Sequence, residues 1–411
     1  VSAIWVVLGS VIGMLVAWGW IAPRLMVFSR LHGHMTLTDL LLHDTAGSWR
    51  TAMKWSASLI VLVSFVFYIA AQFQGAGNTF ASTFDLSMRG SIVLGAMIIM
   101  VYTLLGGFWA VSVTDTVQGL LMALTALLLP GAALIEVGGW QGFVSGLEAV
   151  STPDQLSFTA GNAGLVAMGV VIGGLSIGIG TYGQPHLLVR FMALRDDSAL
   201  RWGRWITIFW FLIVFLGMCF LGLVGHVLHA GVDNPETIFF VLIDSLFPTV
   251  LGAVLLAAVL SAIMSTADSQ LLVAASALSH DLGLGRRLPG GVMLVSRLTI
   301  VVLVIAAVLV AIYLPEKIFN RVLFAWIALG SAFGPLLFAR LLRLHVKAVA
   351  ALASILCGFA LAVTLYLASG SPGSIAERCL PFALASLILW LGSRRLPKTL
   401  DSYSVSAEYD S

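Results

Sequence analysis

The chain has 411 residues, of which 60% are hydrophobic and only 10% charged, with a net charge of +2. A mean hydropathy of +1.03 excludes a soluble globular domain of this size. With no basic stripe, the chain offers nucleic acid nothing to bind.

Apolar runs of roughly 20 residues, the length a helix needs to cross a bilayer, recur from end to end. Eleven spans are predicted, near 4–22, 55–79, 90–110, 112–135, 163–188, 202–230, 247–278, 290–314, 318–341, 346–369 and 376–393. Alternating their direction from an outside start leaves Arg89, Lys317, Arg321 and Arg378 outside and puts the other 17 of 21 Lys and Arg inside. That bias predicts a cytoplasmic C-terminus. The chain reads as one transmembrane domain over 1–393 and a polar, disordered tail over 394–411. It opens on Val1, directly in an apolar run, with no signal-peptide pattern.

The inner loop at 23–54 contains Met35–Leu41, a short interfacial segment. In the second span Tyr68, Gln72 and Gln74 either face a cavity or make ordinary hydrogen bonds between helices. The run from Gly106 to Gly119 is a very short inner connection that opens the fourth span and carries Asp115. Of 19 Asp and Glu, only Asp115 and Asp268 sit clearly inside predicted spans. Two isolated intramembrane acids point to one shared cation or to a proton-linked pair. A plainer reading has Asp115 capping a helix N-terminus near the inner surface. The loop at 136–162 carries Glu148 and Asp154 and no Lys or Arg, which suits an outer position.

Gly173–His186 places five glycines and Pro185 in one span. Proline alone costs about 3 kcal/mol in a regular helix interior. Unwound backbone near the midplane exposes carbonyls and amides to a substrate. Gly174 and Gly178 also make a GxxxG pattern, which permits close helix packing instead. His186 and Arg190 follow toward the inner surface, with a gating contact as the second reading for them. Pro235–Ser245 is too short and amphipathic to span and reads as an outer helix, a cap or lid.

The densest polar cluster lies within the apolar run Leu251–Ala277. There Ala262, Ser265, Thr266 and Ser269 recur at three- and four-residue steps and share a face, with Asp268 beside it. Hydroxyls, a carboxylate and a carbonyl suit a hard cation such as sodium. The alternative is hydroxyls bonded to carbonyls four residues earlier, which leaves the carboxylate unexplained. Further on, Gly330–Pro335 bends the ninth span or packs tightly. Cys219, Cys357 and Cys379 lack metal spacing and receive no function. No metalloprotease motif, P-loop or nucleophile elbow is present, so uphill transport would need an ion gradient. The expected partners are a small solute, sodium and the lipid bilayer, with no nucleic acid and no enzymatic role.

Taken together, Gly106–Ser112, Thr114–Gln118, Gly183–Ala193, Ala262–Thr266, Phe324–Trp326 and Ala332–Pro335 resemble the sodium:solute symporter family, in particular its sodium/proline symporter branch. The resemblance implies an all-α polytopic membrane protein, a five-plus-five inverted-repeat bundle with additional C-terminal helices. It implies a multi-pass protein of the bacterial inner membrane that imports proline or a related amino acid with sodium as coupling ion. It further implies that the chain begins at the second core helix, two N-terminal helices being absent. By position, the family's sodium site maps to the Ala262 carbonyl, Ser265 and Thr266, and a second sodium site to Asp115, Ser265, Asp268 and Ser269. Substrate contacts map to Ile177, Thr181 and Pro185, with Tyr68 bordering the same cavity; Gln72, polar and one turn beyond Tyr68, is counted with them from its place in the second span. Proline symporters carry large aromatics where this chain has Ile177 and Thr181, which enlarges and repolarises the pocket. A carboxylate, pantothenate or sialic acid therefore also qualifies as the solute. The same residues leave room for proton coupling through Asp115 and Asp268, and for a symporter-like sensor module.

Overall fold

The computed structural model describes residues 1–84, 86–232, 234–314, 316–368 and 374–395. Among these, eleven helices are long and apolar enough to cross a membrane. In chain order, spans 1 to 11 are Ile4–His32, Gly47–Phe84, Met88–Leu105, Phe108–Glu136, Gly164–Gly183, Asp197–Leu228, Thr249–Asp281, Gly291–Tyr313, Ile318–Leu341, Ala348–Ala368 and Ile375–Gly392. Lipid offers no partner for a backbone N–H or C=O, so apolar runs of this length close their hydrogen bonds internally as helices.

Several helices overshoot their apolar runs. Span 1 continues to His32 and span 2 begins at Gly47, so the loop predicted over 23–54 shrinks to 33–46. Lipid depth limits the apolar residues, not the helix, and Arg24, Arg30, Arg50 and Lys54 ride on the extensions. Three arginines at this end satisfy carbonyls left without intrahelical partners. Arg30 donates to the Leu194 carbonyl and, at 2.6 Å, to that of Arg195. Arg50 donates to Leu42 and Thr45 carbonyls at 3.3 Å. The buried Arg340 reaches the Leu41 carbonyl at 3.3 Å and Thr45 Oγ1 at 3.2 Å. The predicted interfacial segment forms the helix Leu37–Leu41, closed by a capping box between Thr36 and Asp39. Thr36 Oγ1 also donates to Asp281 Oδ1 at 2.8 Å, which ties this loop to the end of span 7.

At the opposite end, residues 136–162 fold more than expected. They form the helix Gly139–Val150 and a single turn Pro153–Leu156. The turn begins with a capping box, Thr152 with Gln155, a signal present in the sequence.

Span 9 is the axis of the bundle. Its most apolar stretch is 83% buried, against 6% for span 6. Spans 2, 10 and 11 and the end of span 5 pack around span 9. The helix runs unbroken through Pro335, and a methyl on Gly330 would lie 2.7 Å from Gly180 Cα, which fits the tight-packing reading of 330–335. At its start Arg321 is 1% exposed. Its guanidinium donates to Gln74 Oε1 at 2.8 Å, to the Val310 carbonyl at 3.3 Å and to the Leu314 carbonyl. These partners satisfy a charge that would otherwise be costly to bury.

Leu344–Val346 and Ser393–Arg395 pair as a short antiparallel ladder. Arg394 and Arg395, expected in the disordered tail, thus belong to the folded body. The remainder of that predicted tail, 396–411, lies outside the described residues.

Candidate functional site

Span 5 stops being an α-helix halfway. It is α-helical over Gly164–Leu175 and 3-10 over Ser176–Gly183. It extends at Gln184 and restarts as the helix Pro185–Met192. Pro185 lacks an N–H and disfavours helical backbone at the residue before it, so the break falls at Gln184. Eight residues are long for the poorer 3-10 hydrogen-bond geometry. Neighbouring helices hold the segment in place. A methyl placed on Gly13 of span 1 would lie 2.6 Å from Gly178 Cα, and one on Gly174 would lie 2.5 Å from Trp5 Cβ. The two readings of this stretch are therefore both correct, since the same glycines unwind the span and form a close-packing face.

Two of the cavities among the described residues flank the polar part of span 7. The one at the arginine-rich end has a volume of about 610 Å³ and is walled by Thr38, Val61, Pro185, Val189, Ser276 and Phe333 among others. The one at the opposite end has a volume of about 320 Å³ and is bordered by Gln72, Asn78, Phe240, Ala262 and Ile263. Their walls share no residue. The amphipathic segment predicted at 235–245 forms a 3-10 turn, Pro235–Thr237, and the helix Ile238–Leu246. Glu236, Phe239 and Phe240 from it line the second cavity.

The polar cluster of span 7 lies between these cavities. Ser265 Oγ and Thr266 Oγ1 donate to the same carbonyl, that of Ala262, at 3.1 and 3.0 Å. These are the hydroxyl-to-carbonyl bonds of the alternative reading, and they also gather three oxygens on one turn beside a cavity. Ser269 Oγ donates to the Ser265 carbonyl at 2.7 Å. Asp268 is fully buried. Its Oδ1 lies 3.5 Å from Ser269 Oγ, and its Oδ2 has no hydrogen-bond partner among the described residues.

Asp115 joins this group from span 4. That helix begins at Phe108, so Asp115 lies too far in to cap it. Its Oδ2 accepts from the Arg190 guanidinium at 2.5 Å, and the same nitrogen donates to Ser269 Oγ at 2.7 Å. Arg190, expected mainly at the inner surface, instead points from the broken span into the cluster. The structure thus brings Asp115, Asp268 and Ser269 together, around a guanidinium whose place there the sequence does not reveal. The available signal was the position of Arg190 one turn and a half beyond a proline-broken run.

The remaining predicted contacts divide. Gln72 borders the second cavity and Pro185 the first. Tyr68 accepts from Trp326 Nε1 at 2.9 Å, and its ring stands 6.2 Å from that of His186. Gln74 is taken by Arg321. Thr181 is buried in the 3-10 segment. Tyr68, Ile177 and Thr181 line neither cavity, and Ile177 packs with Leu323, Phe324 and Ile327.

Comparison with known proteins is consistent with this arrangement. The profile of the sodium:solute symporter family matches residues 1–358. The sodium/proline symporter of Staphylococcus aureus is 33% identical over 352 residues, covering 82% of this chain and 66% of the relative. The corresponding protein of strain JH9 is likewise 33% identical over the same length. The chain thus spans about two thirds of the length of the curated relatives it matches. A solved structure of a Na+-coupled sialic acid symporter, substrate-bound and outward-open, superposes with a TM-score of 0.74 at 17% identity, covering 95% of this chain and 85% of that one. The fold is accordingly the five-plus-five inverted-repeat transporter bundle with additional C-terminal helices.

Proposed function

The chain belongs to the sodium:solute symporter family, and on that premise we propose that it is the body of a sodium-coupled importer of a small organic solute, proline or a related amino acid. Sodium is the coupling ion. It binds at the Ala262 carbonyl, Ser265 and Thr266, and the observation that carries this reading is their convergence on one turn of span 7. A hydroxyl that swings its proton off the Ala262 carbonyl presents lone pairs to a cation, and the freed carbonyl supplies a third oxygen. Only two bond rotations are needed, so the ion can bind and leave without refolding the helix.

The solute binds beside the broken part of span 5, bordered by Tyr68, Gln72, Thr181 and Pro185, with Ile177 shaping the wall from behind. The arginine-rich end faces the cytoplasm of a bacterial inner membrane and the second cavity faces outward. Sodium entering from outside stabilises the state in which the solute site is complete, and rocking of the bundle releases both inside. The driving force is sufficient. A 100 mV potential supplies roughly 2.3 kcal/mol per charge, and a tenfold gradient about 1.4 kcal/mol. Together they support about two to three decades of accumulation per sodium.

Uptake by the full-length protein in proteoliposomes tests the reading. Proline, other amino acids, pantothenate, acetate and sialic acid are compared with and without an inward sodium gradient. Sodium-dependent accumulation of an amino acid is the expected result. Accumulation that ignores sodium and follows a pH gradient instead supports the second reading, proton coupling, which Asp268 Oδ2, without a hydrogen-bond partner among the described residues, favours.

A further inference from the structure

Another cavity, of about 740 Å³, opens at the arginine-rich end between span 1, the loop after it and the end of span 9. Arg24, Val27, Phe28 and Leu31 recur at three- and four-residue steps, so one face of span 1 forms a wall. Arg340, Arg343 and His345 line it from the end of span 9, and His43 and Asp44 from the loop. Among the described residues of these walls Asp44 is the one carboxylate, against three guanidinium groups that stay charged. Two positive charges are therefore in excess. The positive-inside bias brings arginines to this end of the bundle. It does not account for three of them lining one concavity.

The surroundings of Arg24 say which anion fits. Its guanidinium lies 4.4 Å from the centre of the Trp20 ring, one turn back, and donates to the Trp20 carbonyl at 3.1 Å. Tryptophan is favoured at the level of lipid headgroups. On the same helix face the apolar side chains run on past Arg24, and Val27 and Leu31 are both exposed. The guanidinium is thus flanked by apolar groups on both sides along the helix, at the edge of the lipid. A charge there requires a counter-ion, and among the described residues no carboxylate forms an ion pair with Arg24. A soluble phosphate would meet the charge and leave Val27 and Leu31 bare. A phospholipid meets both, with its phosphate on the arginines and its glycerol esters on the apolar wall.

We propose that this cavity seats the headgroup of an anionic phospholipid, its phosphate held by Arg24 and Arg343 and its ester region against Val27 and Leu31. Because its walls come from span 1 and span 9, the bound lipid joins those two helices at this end. The proposal is independent of the sodium ligands and of the solute.

The test is native mass spectrometry of the purified full-length protein, titrated with phosphatidylglycerol and with phosphatidylcholine of the same acyl chains. The wild type is expected to retain a single phosphatidylglycerol more tightly than phosphatidylcholine, and an excess of inorganic phosphate should leave it bound. Arg24→Gln and Arg343→Gln should each weaken phosphatidylglycerol about fivefold, the worth of one basic residue at an anionic membrane surface, while Arg24→Lys keeps most of the affinity. Arg201→Gln, at the same end on span 6 but outside the cavity, should change nothing. Equal affinity for the two lipids would overturn the proposal, as would equal weakening by Arg201→Gln and Arg24→Gln, which would mean a diffuse surface attraction. Displacement of the lipid by inorganic phosphate would overturn it in favour of a soluble anion. Arg24 is exposed, so its replacement leaves the packed bundle intact. Thermal unfolding gives a second readout: phosphatidylglycerol should raise the Tm of the wild type more than that of Arg24→Gln, and an equal rise in both would count against the site.

Discussion

Substituting Gly13 by alanine tests whether the broken span is held by backbone contact with span 1. A methyl on Gly13 would lie 2.6 Å from both Cα and carbonyl oxygen of Gly178, and 2.9 Å from its carbonyl carbon. Carbon atoms in good contact sit about 3.5–4.0 Å apart, so the two helices must separate by roughly 1 Å. Neither neighbour is a flexible side chain that could turn aside. Overpacking of this kind costs about 1–3 kcal/mol. The displaced segment is the 3-10 run that carries Thr181, so stability and solute affinity should fall together. Gly169 provides the control. It lies in the α-helical part of span 5 with nothing within 4 Å of an added methyl. Gly169→Ala should be neutral or stabilising by up to about 1 kcal/mol, because alanine favours the helix. Thermal unfolding of the purified proteins in one detergent would measure both. Equal stability of the two variants would refute the close-packing argument.

Replacing Tyr68 by phenylalanine leaves the Trp326 indole N–H, now 2.9 Å from the phenol oxygen, without its partner, at a cost of about 1–3 kcal/mol; a double-mutant cycle with Trp326→Phe should recover most of the loss. Replacing Arg321 by methionine strands the Gln74 side chain and the Leu314 carbonyl just after span 8, and should lower stability by about 1–3 kcal/mol; unchanged unfolding would show that those groups find other partners. The loop at 33–46 should loosen on acidification. Burial, the leading cause, together with neighbouring histidines holds His34 below its ordinary value of 6.5, and burial likewise lowers His43. A depressed histidine means that the unfolded loop binds more protons, so stability is full above pH 6.5 and declines as the pH falls below it. Hydrogen-exchange protection factors across Leu37–Thr45, corrected for the intrinsic rate at each pH, should fall over that window, and His34→Gln should flatten the change.

Much of the fold was legible because lipid imposes one strong rule, and all eleven apolar runs became spans. The break at Gly173–His186 was equally legible, since proline and clustered glycines act on the backbone locally. Helix ends were less legible, because Arg24, Arg30, Arg50 and Lys54 mark the end of lipid and not the end of hydrogen bonding. The oxygens of Ser265, Thr266 and Ala262 could be grouped by periodicity alone, as they lie on one helix. Arg190 could not, because its partners Asp115 and Ser269 are 75 and 79 residues away and only three-dimensional packing brings them to it.

The central claim is that Ser265 and Thr266 bind the coupling ion. It is tested most directly by the sodium dependence of solute uptake in proteoliposomes for wild type, Ser265→Ala and Thr266→Ala. Losing one oxygen contact to a charged partner costs about 1.5–3 kcal/mol. That predicts roughly a tenfold to hundredfold rise in the half-saturating sodium concentration for each variant, with the maximal rate largely kept at saturating sodium. Wild-type sodium dependence in both variants would contradict the account.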